Sequence, residues 1–504
     1  MSSISTTSSA ASTAAANAAM QSAAQSIISG STGNTSMDVG TLVTALVNAK
    51  TAGQAAALTA QQTSDNTQVS AYGALTAALD ALQSGMAGLA TGATLSTFAA
   101  TASGTGLTAT AGTGAVAGSY SVGVTQIASS QALSSAAFGA TTQLGTGTLT
   151  IGIGSQSMNI NIDSTNNTLS GIAAAINTGS GNPGVTATVV TGTDGAHLVL
   201  RSANTGAANV INISTNVTSD NGLSSLGVTS TASTTGGESS ITSANPSNAW
   251  TQSSYAEDAE FTIGGIAASS STNSVTTAIS GVTLNLAAAA AGTTQTLNIT
   301  ADTSAQSTAI NNFVSLYNTV VTTMATLTSY NSSSSSQGPL LGDSTLQTIQ
   351  NTLATIVGGA VGSGSTGSTL AAIGITLKDD PADGTMVINN STLSTALTSS
   401  PATVAALFNS TNGIAEQLNS SITNFTQTGG IIDTRTSALN TDLTSITSQQ
   451  SALSDYTAQL TSQYQAQFTA LDTLMATMNN NSQYLTALFG GANSAGALAS
   501  ANNT

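Results

Sequence analysis

IDTRTSALNTDLTSITSQQSALSDYTAQLTSQYQAQFTALDTLMATM, residues 432–478, carries apolar side chains at seven-residue spacing in two interleaved rows. One row is Ile432, Leu439, Ile446, Leu453, Leu460 and Leu474; the other holds Leu443, Tyr464, Leu471 and Met478. Repetition of this kind brings both rows onto one stripe of an α-helix, and such a stripe buries only against another helix. The stretch therefore predicts coiled-coil or bundle packing. Thr436, Gln450, Thr457 and Gln467 interrupt the rows. They either lower stability and fix register, or turn to solvent where the seam drifts. Under the first reading, Gln450→Leu and Thr457→Leu raise the thermal stability of the helix.

Working outward, a second stripe lies near the other end. Tyr72, Leu75, Leu79, Leu82, Met86 and Leu89 alternate steps of three and four. Leu42, Leu46 and Ala49 extend the helix back to Met37, with Gly53 and the polar stretch around Asp65 weakening its middle. Ile310, Phe313, Tyr317, Val320, Met324 and Leu327 predict another helix, and Leu346, Ile349, Leu353 and Ile356 a shorter one capped by Asp343, with a polar loop over 331–337 between them. Ile373–Leu377 and Met386–Ile388 flank Asp380-Pro381-Ala382-Asp383-Gly384, the composition of a hairpin turn. Gly429-Gly430 sets off the terminal seam.

Between the helical ends the period changes to two. Tyr120, Val122 and Val124 alternate with small residues, as in a half-buried strand. Leu149/Ile151/Ile153 and Met158/Ile160/Ile162 precede a helical Leu169/Ile172/Ile176, and Val185/Ala187/Val189 and Leu198/Leu200 follow it. This predicts a compact α+β lobe. After a Ser/Thr/Gly/Asn-rich stretch, alternation resumes at Phe261/Ile263, Val282/Leu284/Leu286 and Leu297/Ile299.

The predicted fold class is α+β and multidomain, with terminal helices forming a coiled-coil or bundle stalk and β-rich head lobes inserted between them. Residues 1–36 are expected as a disordered, low-complexity arm and 37–95 as the N-terminal helical stalk. A β-rich lobe is split into 96–135 and 255–300 around an inserted α+β lobe, 136–213, and a connector, 214–254. Residues 301–428 make a helical stalk with a small β hairpin, 429–489 the C-terminal coiled-coil helix, and 490–504 a flexible tail.

Composition narrows function. Only Lys50, Arg201, Lys378 and Arg435 oppose twenty carboxylates, a formal net charge of −16. Nucleic acid and anionic lipid are poor partners for such a surface. The absence of cysteine removes disulfides and thiolate metal sites. No run of apolar residues is long enough to insert in a membrane, and the first thirty residues lack the pattern of a cleaved secretory signal.

No catalytic, cofactor or metal site is expected. His197, the single histidine, lies in an alternating strand without a second ligand or triad partner. Asp379, Asp380 and Asp383, and Asp163 with Asn166, fit turn chemistry better than a calcium loop. Trp250 is read as an anchor of the connector or as a subunit contact.

Several segments, taken together and in order, resemble the flagellar hook-associated protein 2 family from about Met37 to Phe489. They are SMDVGTLVTALVNAK (36–50), STFAATASGTGLTATAGTGAVAGSYSVGVTQIA (96–128), GTGTLTIGIG (145–154), STNNTLSGIAAAIN (164–177), GVTATVV and HLVLRSANTGAANVI (184–190 and 197–211), ISGVTLNLA (279–287), GPLLGDSTL (338–346), DGTMVINNSTLSTAL with VAALF (383–397 and 404–408), and QFTALDTLMATMNNNSQYL (467–485). The chain departs from the family pattern in its scarcity of Lys and Arg and in its long N-terminal arm.

The resemblance implies a structural, non-enzymatic protein that caps the distal end of a bacterial flagellar filament, exported without a cleaved signal through the flagellar type III apparatus. It implies a homo-oligomeric ring that promotes flagellin insertion and prevents flagellin loss. Implied partners are copies of itself, flagellin, the hook-filament junction proteins, a flagellar export chaperone and, in some relatives, host mucin. The alternative is an extracellular adhesin that binds mucin or glycan through its β-rich lobes. Each seam residue contributes roughly 1.5–3 kcal/mol when buried. Helix nucleation is unfavourable, so the ends are expected to order only on pairing.

Overall fold

A computed structural model describes residues 38–331, 337–362 and 368–489, with isolated positions 18, 21, 24 and 25. Apart from those positions, the expected arm (1–36) and tail (490–504), and most of the loop at 331–337, lie outside the described residues. The chain divides into two compact units. One is formed by the two ends, up to Thr91 and from Ala309; the other is Gly92–Thr308.

In the first unit, α1 (Val39–Ala90) starts at Asp38, whose carboxylate accepts from the Thr41 amide at 3.0 Å. It stops where Gly92 takes a left-handed φ of +76°, a conformation costly for any residue with a Cβ. The stripe Tyr72, Leu75, Leu79, Leu82, Met86 and Leu89 is almost completely buried. The helix packs on α7 (Ile414–Thr426), which in turn packs on α4 (Ser344–Gly358), and it approaches α3 (Thr303–Leu327). Gln83 donates to Asn419 Oδ1 on α7 at 3.0 Å. Gly85 faces α3, where a Cβ would fall 2.1 Å from Leu316 Cδ1. Asp343 caps α4, accepting from the Thr345 and Leu346 amides. β18 (Ile375–Leu377) and β19 (Met386–Ile388) form an antiparallel hairpin ahead of α5 (Asn390–Ser399) and α6 (Pro401–Leu407). The unit closes with α8, Ile431–Phe489.

The second unit contains two β lobes. The outer one uses strands from both flanks: β1 (Phe98–Ala102), β2 (Leu107–Ala111) and β3 (Gly118–Gln126) from one side. The other side supplies β13 (Ala259–Ile263), β14 (Ile266–Ser270), β15 (Ser274–Ile279), β16 (Val282–Leu286) and β17 (Thr293–Ala301). They make a five-stranded sheet, β1-β17-β3-β13-β14, and a three-stranded sheet, β15-β16-β2. Val122, Phe261, Leu284, Leu297 and Ile299 lie in its core.

The inner lobe pairs β5 (Gly145–Ile153), β6 (Gln156–Ile162), β9 (Ile211–Asp220), β10 (Val228–Thr231) and β11 (Ser240–Ser243) in the order β11-β10-β9-β5-β6. A second sheet, β12-β4-β8-β7, uses β4 (Ala132–Ser134), β7 (Val185–Thr191), β8 (Ala196–Ser202) and β12 (Thr251–Ser254). Helix α2 (Leu169–Thr178), capped by the Thr168 hydroxyl, buries Leu169, Ile172 and Ile176. Residues 214–254 are therefore not the expected connector. They supply three strands and most of a fourth, and Leu223, Leu226, Val228 and Trp250 enter the lobe's core. Their alternation is hidden because buried positions are filled by hydroxyls as well as hydrocarbons: the Ser230 hydroxyl donates to Ile211 O at 2.6 Å. Leu133, assigned by sequence to the outer lobe, belongs to this core too.

Candidate functional site

The two ends of the chain meet along α1 and α8. Val39, Val43 and Val47 pack with Leu460, Tyr464 and Phe468. Further along α1, Leu58 packs with Ile446 and Leu453. Gln450 Nε2 then donates to Gln62 Oε1 at 3.1 Å, and Arg435 Nη2 to Gln68 Oε1 at 3.3 Å. Residue number rises on one helix as it falls on the other, so the pair is antiparallel.

The seam residues divide by position. Ile432, Leu439, Ile446, Leu453 and Leu460 are buried, and Leu443 and Tyr464 are half-buried. Leu471, Leu474 and Met478 are exposed, the last two at 57% and 63%. Phe468 packs against Val39, the first residue of α1. Beyond it α8 continues with Tyr484, Leu485 and Leu488 also exposed. The heptad repeat records which face of α8 is apolar, and carries no information on how far its partner reaches.

The polar interruptions behave in three ways. Gln450 bridges to α1, so it ties the register of the pair. Thr436 and Thr457 donate to carbonyls one turn back in their own helix. Gln467 faces solvent. Sequence reasoning did not place Val43, Val47 or Leu58 in the seam, since on α1 these residues are too sparse to form a heptad row, and Phe468 of α8 lies off both heptad rows.

A charged cluster lies at the end of this contact. Arg435 Nε sits 3.6 Å from Asp343 Oδ2, so one of four basic residues joins α8 to the start of α4. Asp65, on α1, is 8% exposed, and its Oδ2 has no hydrogen-bond partner among the described residues. Burial and, second, the Asp442 carboxylate raise its pKa, against the pull of Arg435. Burial also pushes the Tyr72 hydroxyl up to about 12.

A raised carboxyl pKa means that the folded state holds the proton more tightly than the unfolded chain, so this residue's penalty is complete above the folded pKa and disappears as pH falls through it. Asp65→Asn is expected to raise the neutral-pH melting midpoint by roughly 2 °C, consistent with relief of about 1 kcal/mol. It should also remove that residue's share of the rise in stability on mild acidification. Melting curves from pH 7 down to the ordinary carboxylate range check both; an unchanged neutral-pH midpoint would show that water already satisfies Asp65.

The other candidate residues have structural surroundings. His197 lies on β8, with Nδ1 2.7 Å from Ser135 O and Nε2 3.0 Å from Asp194 Oδ1. The Ser135 carbonyl and then Asp194 raise its pKa by favouring the doubly protonated ring. Asp383 accepts from the Thr385 amide and hydroxyl and pairs with Lys378 at 3.6 Å. Asp163 accepts from the amide and hydroxyl of Thr165. Among the described residues no group of three or more His, Asp or Glu is arranged to hold a metal ion, and no helix is long and apolar enough to cross a membrane.

Comparison with known proteins adds to this geometry. Residues 35–131 match the flagellar hook-associated protein 2 N-terminus, 148–204 the flagellin hook IN motif, and 256–480 the flagellar hook-associated protein 2 C-terminus. A flagellar hook-associated protein 2 of Escherichia coli (strain K12) is 34% identical over 450 residues, 86% of this chain and 92% of the relative. The chain belongs to the flagellar hook-associated protein 2 family.

The B-type flagellar hook-associated protein 2 of Pseudomonas aeruginosa PAO1 is 30% identical over 440 residues, covering 85% of this chain and 90% of the relative. The crystal structure of the D1-D2-D3 domains of the flagellar cap protein FliD from Escherichia coli is similar at a TM-score of 0.58 and 33% identity, covering 73% of this chain and 99% of that one. The family is one of structural filament-cap proteins, concerned with flagellum assembly and motility rather than enzymatic catalysis. The hook IN match coincides with β5 through β8 and α2 of the inner lobe.

Proposed function

We propose that this protein caps the distal end of a bacterial flagellar filament as a homo-oligomeric ring, promoting insertion of flagellin and preventing its loss. The α1/α8 pair supports this reading, because its outer end leaves a helical apolar row uncovered. Leu471, Leu474, Met478, Leu485 and Leu488 repeat at steps of three, four and seven. In water such a row is unfavourable, and a neighbouring helix of the filament or of another copy would bury it. The seam residues thus act in two sets: those up to Tyr464 hold the chain's own ends together, and those from Leu471 onward engage the assembly.

The protein would act outside the cell at the filament tip, after export through the flagellar type III apparatus with the help of a chaperone. Flagellin and the hook-filament junction proteins would be its neighbours. A deletion strain tests the reading. Short filaments with monomeric flagellin in the medium are expected; full-length filaments with reduced attachment to mucin would instead favour the adhesin.

A further inference from the structure

Strand β7, VTATVVT at 185–191, is an edge of the inner lobe's four-stranded sheet. Six of its seven residues are β-branched and none is charged or proline. An edge of this composition is a template for pairing with another chain, and proteins commonly block it with lysine. With 5% charged residues in the whole sequence, this protein makes little use of that defence.

The structure shows a different one. Asn177, at the end of α2, donates from Nδ2 to Ala187 O at 2.7 Å and accepts from the Ala187 amide at Oδ1 at 2.8 Å. Asn182 does the same for Val185, donating to its carbonyl at 2.8 Å and accepting from its amide at 2.7 Å. A carboxamide offers the same donor and acceptor as a peptide unit. Two of them, on successive outward-facing residues, occupy the places a neighbouring strand's backbone would take. Asn182 is itself held by donation to Ile176 O at 2.9 Å and by the Gly184 amide at 3.0 Å.

We propose that Asn177 and Asn182 are edge guards, a surrogate strand that keeps β7 from pairing with β7 of a second copy. The device goes beyond the capping role and does not depend on it. It prevents β pairing from competing with helix-mediated assembly when many copies are concentrated at one place. Its cover ends at Ala187: among the described residues the outward backbone groups of Val189 and Thr191 have no such partner, and Val190 is 51% exposed.

The absence of cysteine makes a direct test simple. Val190→Cys is introduced into the full chain with and without Asn177→Ala and Asn182→Ala, and disulfide-linked dimer is followed under mild oxidation. Loss of the guards is expected to speed cross-linking by about tenfold or more. Adding Val189→Pro should restore the slow rate, since the Val189 amide points away from β8 and its loss breaks no ladder bond. Equal rates with and without the guards would overturn the proposal.

Hydrogen exchange on the unmodified chain decides the case even if the guardless variant fails to fold. The Val185 and Ala187 amides should exchange at least about a hundredfold more slowly than those of Val189 and Thr191. Comparable rates across all four would show that no guard is in place and sink the proposal.

Discussion

Alanine at Leu474, Met478 and Leu485 together is expected to abolish filament growth while leaving the folded protein almost unchanged. These side chains are more than half exposed, at 57%, 63% and 53%, so their removal deletes little packing within the chain. Alanine also preserves helix propensity, and the melting midpoint should stay within about 2 °C. If the same side chains are buried against a neighbouring helix after assembly, each contributes roughly 1.5–3 kcal/mol there. Their combined loss, on the order of 5 kcal/mol per docked helix, weakens docking by more than a thousandfold. Motility on soft agar, filament length by electron microscopy and flagellin released to the medium check the result. Normal filaments from the triple variant would show that the outer end of α8 is not an assembly surface.

Leu79→Ala should have the opposite profile, a large loss of stability from a residue far from that row. Leu79, on α1, is fully buried, and truncation leaves a cavity that a close-packed bundle closes only by shifting whole helices. A cost of about 2–5 kcal/mol is expected, lowering the denaturation midpoint of the helical unit. Leu471→Ala, at a residue 38% exposed, should cost about 0.5 kcal/mol or less. Denaturant titrations of the two single variants, followed by helical circular dichroism, compare them directly. Equal effects would mean that the stripe from Tyr72 to Leu89 is not the core of this unit.

The helices and strands were legible because their apolar residues repeat at distinct periods. Tyr72–Leu89 could only be a helix face, and Leu149, Ile151 and Ile153 only a strand face. The antiparallel α1/α8 contact was not legible in the same way. On α1, Val43, Val47 and Leu58 are separated by polar and alanine-rich turns, so the partner of the long C-terminal stripe leaves no matching stripe of its own.

The strands of 214–254 were missed for a related reason. Hydrophobic period reports burial only when buried positions are hydrocarbon, and here Ser225, Ser230 and Ser239 are buried as well. The edge guards lie beyond any periodic signal, since Asn177 and Asn182 are ordinary helix-end and turn residues until the fold sets them beside β7. Asp65 read as a weak point in a helix, and only the approach of Asp442 and Arg435 makes it a buried charge within the pair.

Spin labels on Thr63→Cys and Gln449→Cys, measured in doubly labelled chains diluted with unlabelled protein, address the central claim most directly. Both positions are exposed and each adjoins a member of the Gln62–Gln450 bridge. Antiparallel pairing within one chain predicts a distance below about 25 Å, roughly two helix diameters. A distance beyond about 40 Å, which two helices packed in this register cannot reach, would contradict the account.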